Sequence, residues 1–291
     1  MDVFKNSANN YLFLVSFLGI SAFISINSFS QLSINDWYII FTLTGAILLA
    51  NHNVLELPPH GNSISMDSSI FLASLFMFGL NVTLTASLLF SIVYIFTLRT
   101  TKWWKHIFNF GLYSLMIIFA YNVFLFAGGE QGNIDFNDLL PYTLALSSYF
   151  TLNVLLIGIY FLLVGSENIF IVLKGMLKGT AATYVSTLLF SLVLVVLISS
   201  QNTFGLFLFV CISLLLSIAF KQHLKLYYEA SNKANKDYLT GLNNHGYFKE
   251  LLDSQLSLAR EIEQPVCVAI LDIDDFKKYN DLYGHIQGDQ L

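Results

Sequence analysis

Apolar runs long enough to cross a bilayer recur through the first 220 residues, with very little charge inside them. About 20 apolar residues of helix span the hydrocarbon core. Runs at 11–29, 107–127, 139–164, 180–199 and 204–220 suit that length, and 37–50 is a little short. The run at 70–98 is too long for one ordinary span. Gly79-Leu80-Asn81 interrupts it, which predicts two short helices at about 67–80 and 82–98. The count is eight spans, or seven if 70–98 is one helix.

The connectors support the larger count. The segment 51–69 is a polar loop with Pro58, Pro59 and Gly61; 99–106 is basic, 128–138 is acidic, and 166–179 carries Lys174 and Lys178. Basic residues concentrate on the cytoplasmic side of membrane proteins. With eight spans and a cytoplasmic N-terminus, Lys5, Arg99, Lys102, Lys105, Lys174, Lys178, Lys221, Lys225, Lys233 and Lys236 all fall on that side. Asp36, Glu130, Asp135 and Asp138 fall outside. Either count leaves the C-terminal part in the cytoplasm. Residues 26–30 form no small-x-small cleavage site, so the first run reads as an uncleaved anchor.

Composition narrows the classes. Apolar residues make up 55% and charged ones 11%, against about 25% charged in soluble domains. The net charge of −5 and the lack of a basic stripe argue against nucleic-acid binding. Cys211 and Cys267 read as buried hydrophobes without a disulfide partner. Trp103 and Trp104, flanked by Lys102 and Lys105, read as an interfacial anchor. His52, His60 and Glu56 share a loop but follow no trusted metal-ligand spacing. The acids lie in loops or at span ends, which weighs against an ion-coupled transporter. Ser87, Ser147, Ser148 and Thr180 read as helix-packing groups.

From Lys221 the chain turns polar without Pro or Gly until 236. Phe220, Leu224, Tyr227, Ser231 and Ala234 recur at 4-3-4-3 spacing, a weak heptad stripe on which two copies could pair. The alternative is a single amphipathic helix. Residues 244–262 form another amphipathic pattern, with Phe248, Leu251, Leu252, Leu256 and Leu258 expected to pack on a sheet. Pro265-Val266-Cys267-Val268-Ala269-Ile270-Leu271 reads as a buried strand. It ends at Asp272, where a strand's carboxyl end would present an acid to a hard cation.

Two stretches here resemble the GGDEF (diguanylate cyclase) family. The first is Asp237-Tyr238-Leu239-Thr240-Gly241-Leu242-Asn243-Asn244-His245-Gly246-Tyr247-Phe248, which departs from the pattern at His245 and Gly246, where arginines are usual. The second matches at Asp272, Ile273, Asp274, Phe276, Lys277, Asn280, Asp281, Gly284, His285, Gly288 and Asp289. The fold class that follows is a polytopic α-helical membrane domain (1–220) and a linker helix (221–236). The N-terminal part of an α/β GGDEF domain (237–291) comes last. More weakly, 57–70 is similar to N-terminal membrane modules that precede bacterial GGDEF or HD-GYP domains, which implies a sensory role with no named ligand.

The resemblance implies a bacterial plasma-membrane protein that condenses two GTP into cyclic di-GMP, with Mg²⁺ (or Mn²⁺) as cofactor. It implies a homodimer through the linker helix and catalytic domain. Asp272 would bind the metal through its carboxylate and Ile273 through its carbonyl. Asn280 and Asp289 would read guanine, His285 would line the nucleotide site, and Phe276 and Lys277 would lie by the phosphates. Asp237, Asn244 and Asp274 read as structural, and Gly284 and Gly288 as turn residues. No Gly-Gly-(Asp/Glu)-Glu-Phe turn occurs in the chain, so the expectation is a domain cut before that turn and inactive alone. Two other readings stand beside it: a degenerate GGDEF module that binds nucleotide or protein, and a transporter or scaffold with an incidental tail.

Overall fold

A computed structural model describes residues 2–52, 55–57, 62–64, 67–97, 102–135, 137–164, 180–201, 203–261 and 263–291. The chain divides into two compact units, 1–221 and 222–291.

The first unit is a helical bundle. Among the described residues its helices are α1 (Asp2–Ile26), α2 (Ile34–His52), α3 (Asp67–Thr97), α4 (Trp103–Phe126), α5 (Leu140–Val164) and α6 (Thr180–Gln201). The seventh, α7 (Thr203–Asn235), starts in this unit and runs on into the second. Within the stretch expected to be a polar loop, β1 (Leu55–Leu57) and β2 (Asn62–Ile64) pair as a small antiparallel hairpin. The metal reading of His52, Glu56 and His60 rests on side chains outside the described ones.

α3 is the centre of the bundle. Every residue from Ser69 to Phe76 is buried, as expected of a segment apolar on all sides. It packs on α2, α4 and α6, while α1 lies against α4 and α5. The expected interruption is present: Gly79 has φ 78° and ψ −169°, a backbone state open to glycine. Ser74 and Thr83 hydroxyls, nine positions apart, meet at 2.8 Å. In a straight helix nine residues rise roughly 13 Å, so the two halves fold back beside one another. Gln131 and Gly132 cover the tip, where the Gly132 N–H donates to the Phe76 carbonyl at 2.9 Å. The half at 67–78 is only roughly 18 Å long, less than the roughly 30 Å hydrocarbon thickness. Broken helices at that depth persist where protein surrounds them, and this one is enclosed.

Among the described residues, six helices are long and apolar enough to cross a membrane by length and composition: α1, α3, α4, α5, α6 and α7. They support a membrane protein. The count differs from the eight expected for two reasons. The apolar part of α2 is shortened by Asn35 and Asp36 at one end and Asn51 and His52 at the other. α3 holds two helices joined across the Gly79 kink, so the two short helices expected there count as one candidate. The bundle's outer rings, such as Phe13 and Phe17, are exposed, as lipid-facing residues would be. Inside, Phe76, Phe124 and Tyr142 form an aromatic trio with ring centroids 5.0 to 5.5 Å apart.

Small residues allow the closest helix approach. At the α1–α4 crossing, a Cβ on Gly111 would lie 2.9 Å from the Ser16 Cα and 3.1 Å from its carbonyl oxygen. One expectation changes character: Asp67, taken as a span-end acid, is only 2% exposed.

Candidate functional site

The second unit begins within α7 and continues through α8 (His245–Glu261), α9 (Phe276–Tyr283) and α10 (His285–Gly288). The polar stretch expected as a linker helix is helical to Asn235. Its stripe residues Phe220, Leu224 and Ser231 are half-buried, while Tyr227 and Ala234 are exposed.

A tight turn joins α7 to α8. Asp237 Oδ1 accepts from the Thr240 N–H (2.9 Å), the Thr240 hydroxyl (2.8 Å) and the Leu239 N–H (3.2 Å). These donors, Thr240's first, hold the Asp237 carboxyl below its ordinary pKa. The Gly241 N–H donates back to the Asp237 carbonyl at 3.0 Å. Asn244 caps α8: its Oδ1 accepts from the Tyr247 N–H (3.0 Å), and its Nδ2 donates to the Ala234 carbonyl (2.7 Å). Both residues hold the turn, as their reading as structural groups proposed.

The motif residues follow on irregular chain. Asp272 and Ile273 lie in an exposed segment without regular structure, and Asp274-Asp275 form a turn. Asp275 adopts φ 54° and pairs with Lys278 at 2.6 Å. Phe276, Lys277 and Asn280 share α9; Phe276 is half-buried and Lys277 exposed. Gly284, at φ 83°, ends α9 and starts α10. His285 opens α10, and its carbonyl accepts from the Asp289 N–H at 2.9 Å.

Two of the expected nucleotide-reading residues are drawn together. The Asn280 side chain packs on Gly288, where a Cβ would collide with it. Asp289 follows at once. Asn280 Oδ1 is buried with no hydrogen-bond partner among the described residues. Neither Asp272 nor Ile273 has a described hydrogen bond to Asn280, His285 or Asp289.

Three expectations fail in this unit. Residues 264–273 form no strand, and Ile270 and Leu271 are 90% and 95% exposed. Cys267 is exposed rather than buried. The apolar side of α8 is open too, with Phe248 46% exposed. The causes are linked. A strand exists only through pairing with another, and the described residues of this unit contain none to pair with. Without a sheet, α8 has nothing to pack on.

The oxygens of Asp272 and Ile273 are hard donors that suit Mg²⁺ or Mn²⁺. Among the described residues no group of three or more His, Cys, Asp or Glu could hold a metal. An ion here would therefore rely on water and phosphate oxygens, which Mg²⁺ characteristically keeps. The donor set fits on those terms.

Comparison with known proteins bears on this segment. The diguanylate cyclase GGDEF domain family matches residues 234–291. Those residues are GGDEF-domain sequence. Diguanylate cyclase DgcS of Shewanella oneidensis is 42% identical over 65 residues, which is 22% of this chain and 22% of that protein. Cyclic di-GMP phosphodiesterase PdeR of Escherichia coli is 47% identical over 58 residues, 20% of this chain and 8% of that protein. An uncharacterised membrane protein of Staphylococcus epidermidis, SERP0413, is 42% identical over 60 residues, 21% of this chain and 17% of that one. The chain thus spans about a fifth or less of these relatives. No solved structure matches it. The GGDEF assignment rests on the same stretch that carries the turn, α8, α9 and α10.

Proposed function

We propose that this chain is the membrane unit and opening GGDEF segment of a multi-pass diguanylate cyclase, with the C-terminal unit in the cytoplasm. The observation that supports the reading best is the GGDEF match at 234–291. Within it the acids, Asn280 and the glycines stand in order. The reaction joins two GTP molecules as cyclic di-GMP and releases two pyrophosphates. Each domain would hold one GTP, so two domains must face each other; a paired α7 stripe would set that proximity.

In this reading Asp272 and the Ile273 carbonyl hold the divalent ion. When bound, that ion offsets charge on the triphosphate and favours attack by a 3′-hydroxyl. Asn280 offers guanine both a donor and an acceptor, and Asp289 accepts from its N–H groups. Phe276 and Lys277 lie by the phosphates, and His285 lines the nucleotide site. The 291-residue chain alone is inactive in this account, because no Gly-Gly-(Asp/Glu)-Glu-Phe turn is among its residues.

A second reading has its own support. PdeR carries a similar segment under a phosphodiesterase name, and His245-Gly246 depart from the family pattern. A degenerate module that binds GTP or a partner without turnover fits those facts.

A chimera separates the two. The chain is joined to the remainder of the DgcS GGDEF domain and assayed with GTP and Mg²⁺ in nanodiscs. The cyclase reading expects cyclic di-GMP, lost on Asp272→Asn. A folded chimera that binds GTP but makes none overturns it in favour of the binding module. Cyclic di-GMP made by the 291-residue chain itself would overturn the claim of inactivity.

A further inference from the structure

A carboxyl group lies deep in the first unit, and its hydrogen-bond partners among the described residues are neutral groups. Asp67 is 2% exposed. Its Oδ2 accepts from Asn51 Nδ2 (3.0 Å) and the Tyr113 hydroxyl (3.2 Å), and its Oδ1 from the Ser68 N–H (2.7 Å). The Tyr94 hydroxyl extends the network by donating to Asn51 Oδ1 at 2.9 Å. Among the described residues the ion pairs are Lys225–Glu229 and Lys278–Asp275, both in the other unit. Buried charges are ordinarily paired with an opposite charge. Here hydrogen bonds satisfy the oxygens, and among the described residues no basic side chain pairs with the carboxyl group.

A cavity of about 150 Å³ adjoins this network. Asn51, Phe90, Tyr94, His106, Asn109 and Tyr113 line it. His106 is 4% exposed and stands edge-on to the Tyr94 ring at 5.7 Å. Its Nε2 has no hydrogen-bond partner among the described residues. An orphaned buried nitrogen is costly unless something fills the space and bonds to it.

We propose that this cavity binds a small organic ammonium ion. Its charge would answer Asp67, whose partners Asn51 and Tyr113 form the wall. The rings of Phe90, Tyr94 and Tyr113 are the kind of surface that attracts cations. His106 Nε2, buried and without a partner among the described residues, would accept an N–H of the ammonium, and Asn109 lines the same cavity. The volume equals that of a cavity known to hold benzene, which limits the ligand to about six non-hydrogen atoms. An anion would meet the field of Asp67. A transition metal would find no cluster of three His, Cys, Asp or Glu among the described residues. The inference is independent of the cyclase reading and supplies a ligand class for a membrane sensory unit.

The test uses the full chain in lipid nanodiscs, with Tm followed at fixed pH and ionic strength. The probe is n-propylammonium chloride. The expected result is a saturable rise of about 3–6 °C at ten times the half-saturating concentration. Size-matched 1-propanol and propionate are expected to give none, and tetrapropylammonium is too large for the cavity. His106→Phe, which fills the space, should abolish the rise, and Asp67→Asn should weaken it at least tenfold. If either variant fails to fold, the size and charge series on the unaltered chain decides. The absence of a saturable rise, an equal rise with 1-propanol, or a rise retained in His106→Phe would overturn the proposal. So would a Tm that climbs on acidification alone while the amine does nothing, which would make His106 itself the counter-charge.

Discussion

Phe76 and Leu271 are both large apolar residues, and they sit in opposite circumstances. Phe76 has no exposed surface and packs on Phe124 and Tyr142. Leu271 is 95% exposed. The first unit encloses the first half of its middle helix, Ser69 to Phe76, on every side, and the apolar rings it leaves outside suit lipid. The second unit is built from polar turns and amphipathic helices, and its apolar side chains face water. Hydrogen bonds and caps define it locally, whereas side-chain packing defines the bundle.

Substitutions can break or sharpen that contrast. Phe76→Ala is expected to cost about 3 kcal/mol, the lower end of the usual range, because the loss is of packing rather than of transfer from water. Leu271→Ala should stay within about 0.5 kcal/mol. Thermal unfolding of both variants in nanodiscs checks this; similar losses would erase the distinction. Asp67→Ala follows at about 2–3 kcal/mol, since Asn51 and Tyr113 lose the acceptor they share. Gly111→Ala should cost about 1–2 kcal/mol by pushing α4 away from Ser16 on α1, and the same Tm assay reads both.

The smallest effect lies in the second unit and depends on pH. The Asp237 carboxyl is held below its ordinary pKa by Thr240 and Leu239. A depressed folded pKa means that the turn's extra stability is fully present above the ordinary Asp range. It is lost as pH falls through the folded value. The protection of the Leu239 and Thr240 amides, taken against the intrinsic exchange rate at each pH, should therefore fall only in acid, and Asp237→Asn should flatten that dependence. Protection unchanged by acidification would mean that the carboxylate does not hold the turn.

Legibility from the sequence follows the same division. The interruption at Gly79-Leu80-Asn81 could be read because an over-long apolar run and a glycine are both local signals. The turn at Asp237–Asn244 and the glycine turn at Gly284 are local in the same sense. The strand at 265–271 failed because a strand belongs to a pair, and its partner is not among the described residues of the unit. Six candidate helices stand beside eight expected spans because α2 falls short in apolar length and the two halves of α3 count as one element. The Asp67 cluster was missed for another reason. Asn51, Asp67, Tyr94, His106 and Tyr113 come from α2, α3 and α4, and only the packing of those helices brings them together.

Hydrogen–deuterium exchange along the full chain in nanodiscs tests the two-part account most directly. The account predicts slow exchange through both halves of α3 and through α4, with fast exchange at 264–275. Protection at 264–275 equal to that of α3 would mean that the second unit has a packed sheet after all, and would contradict it.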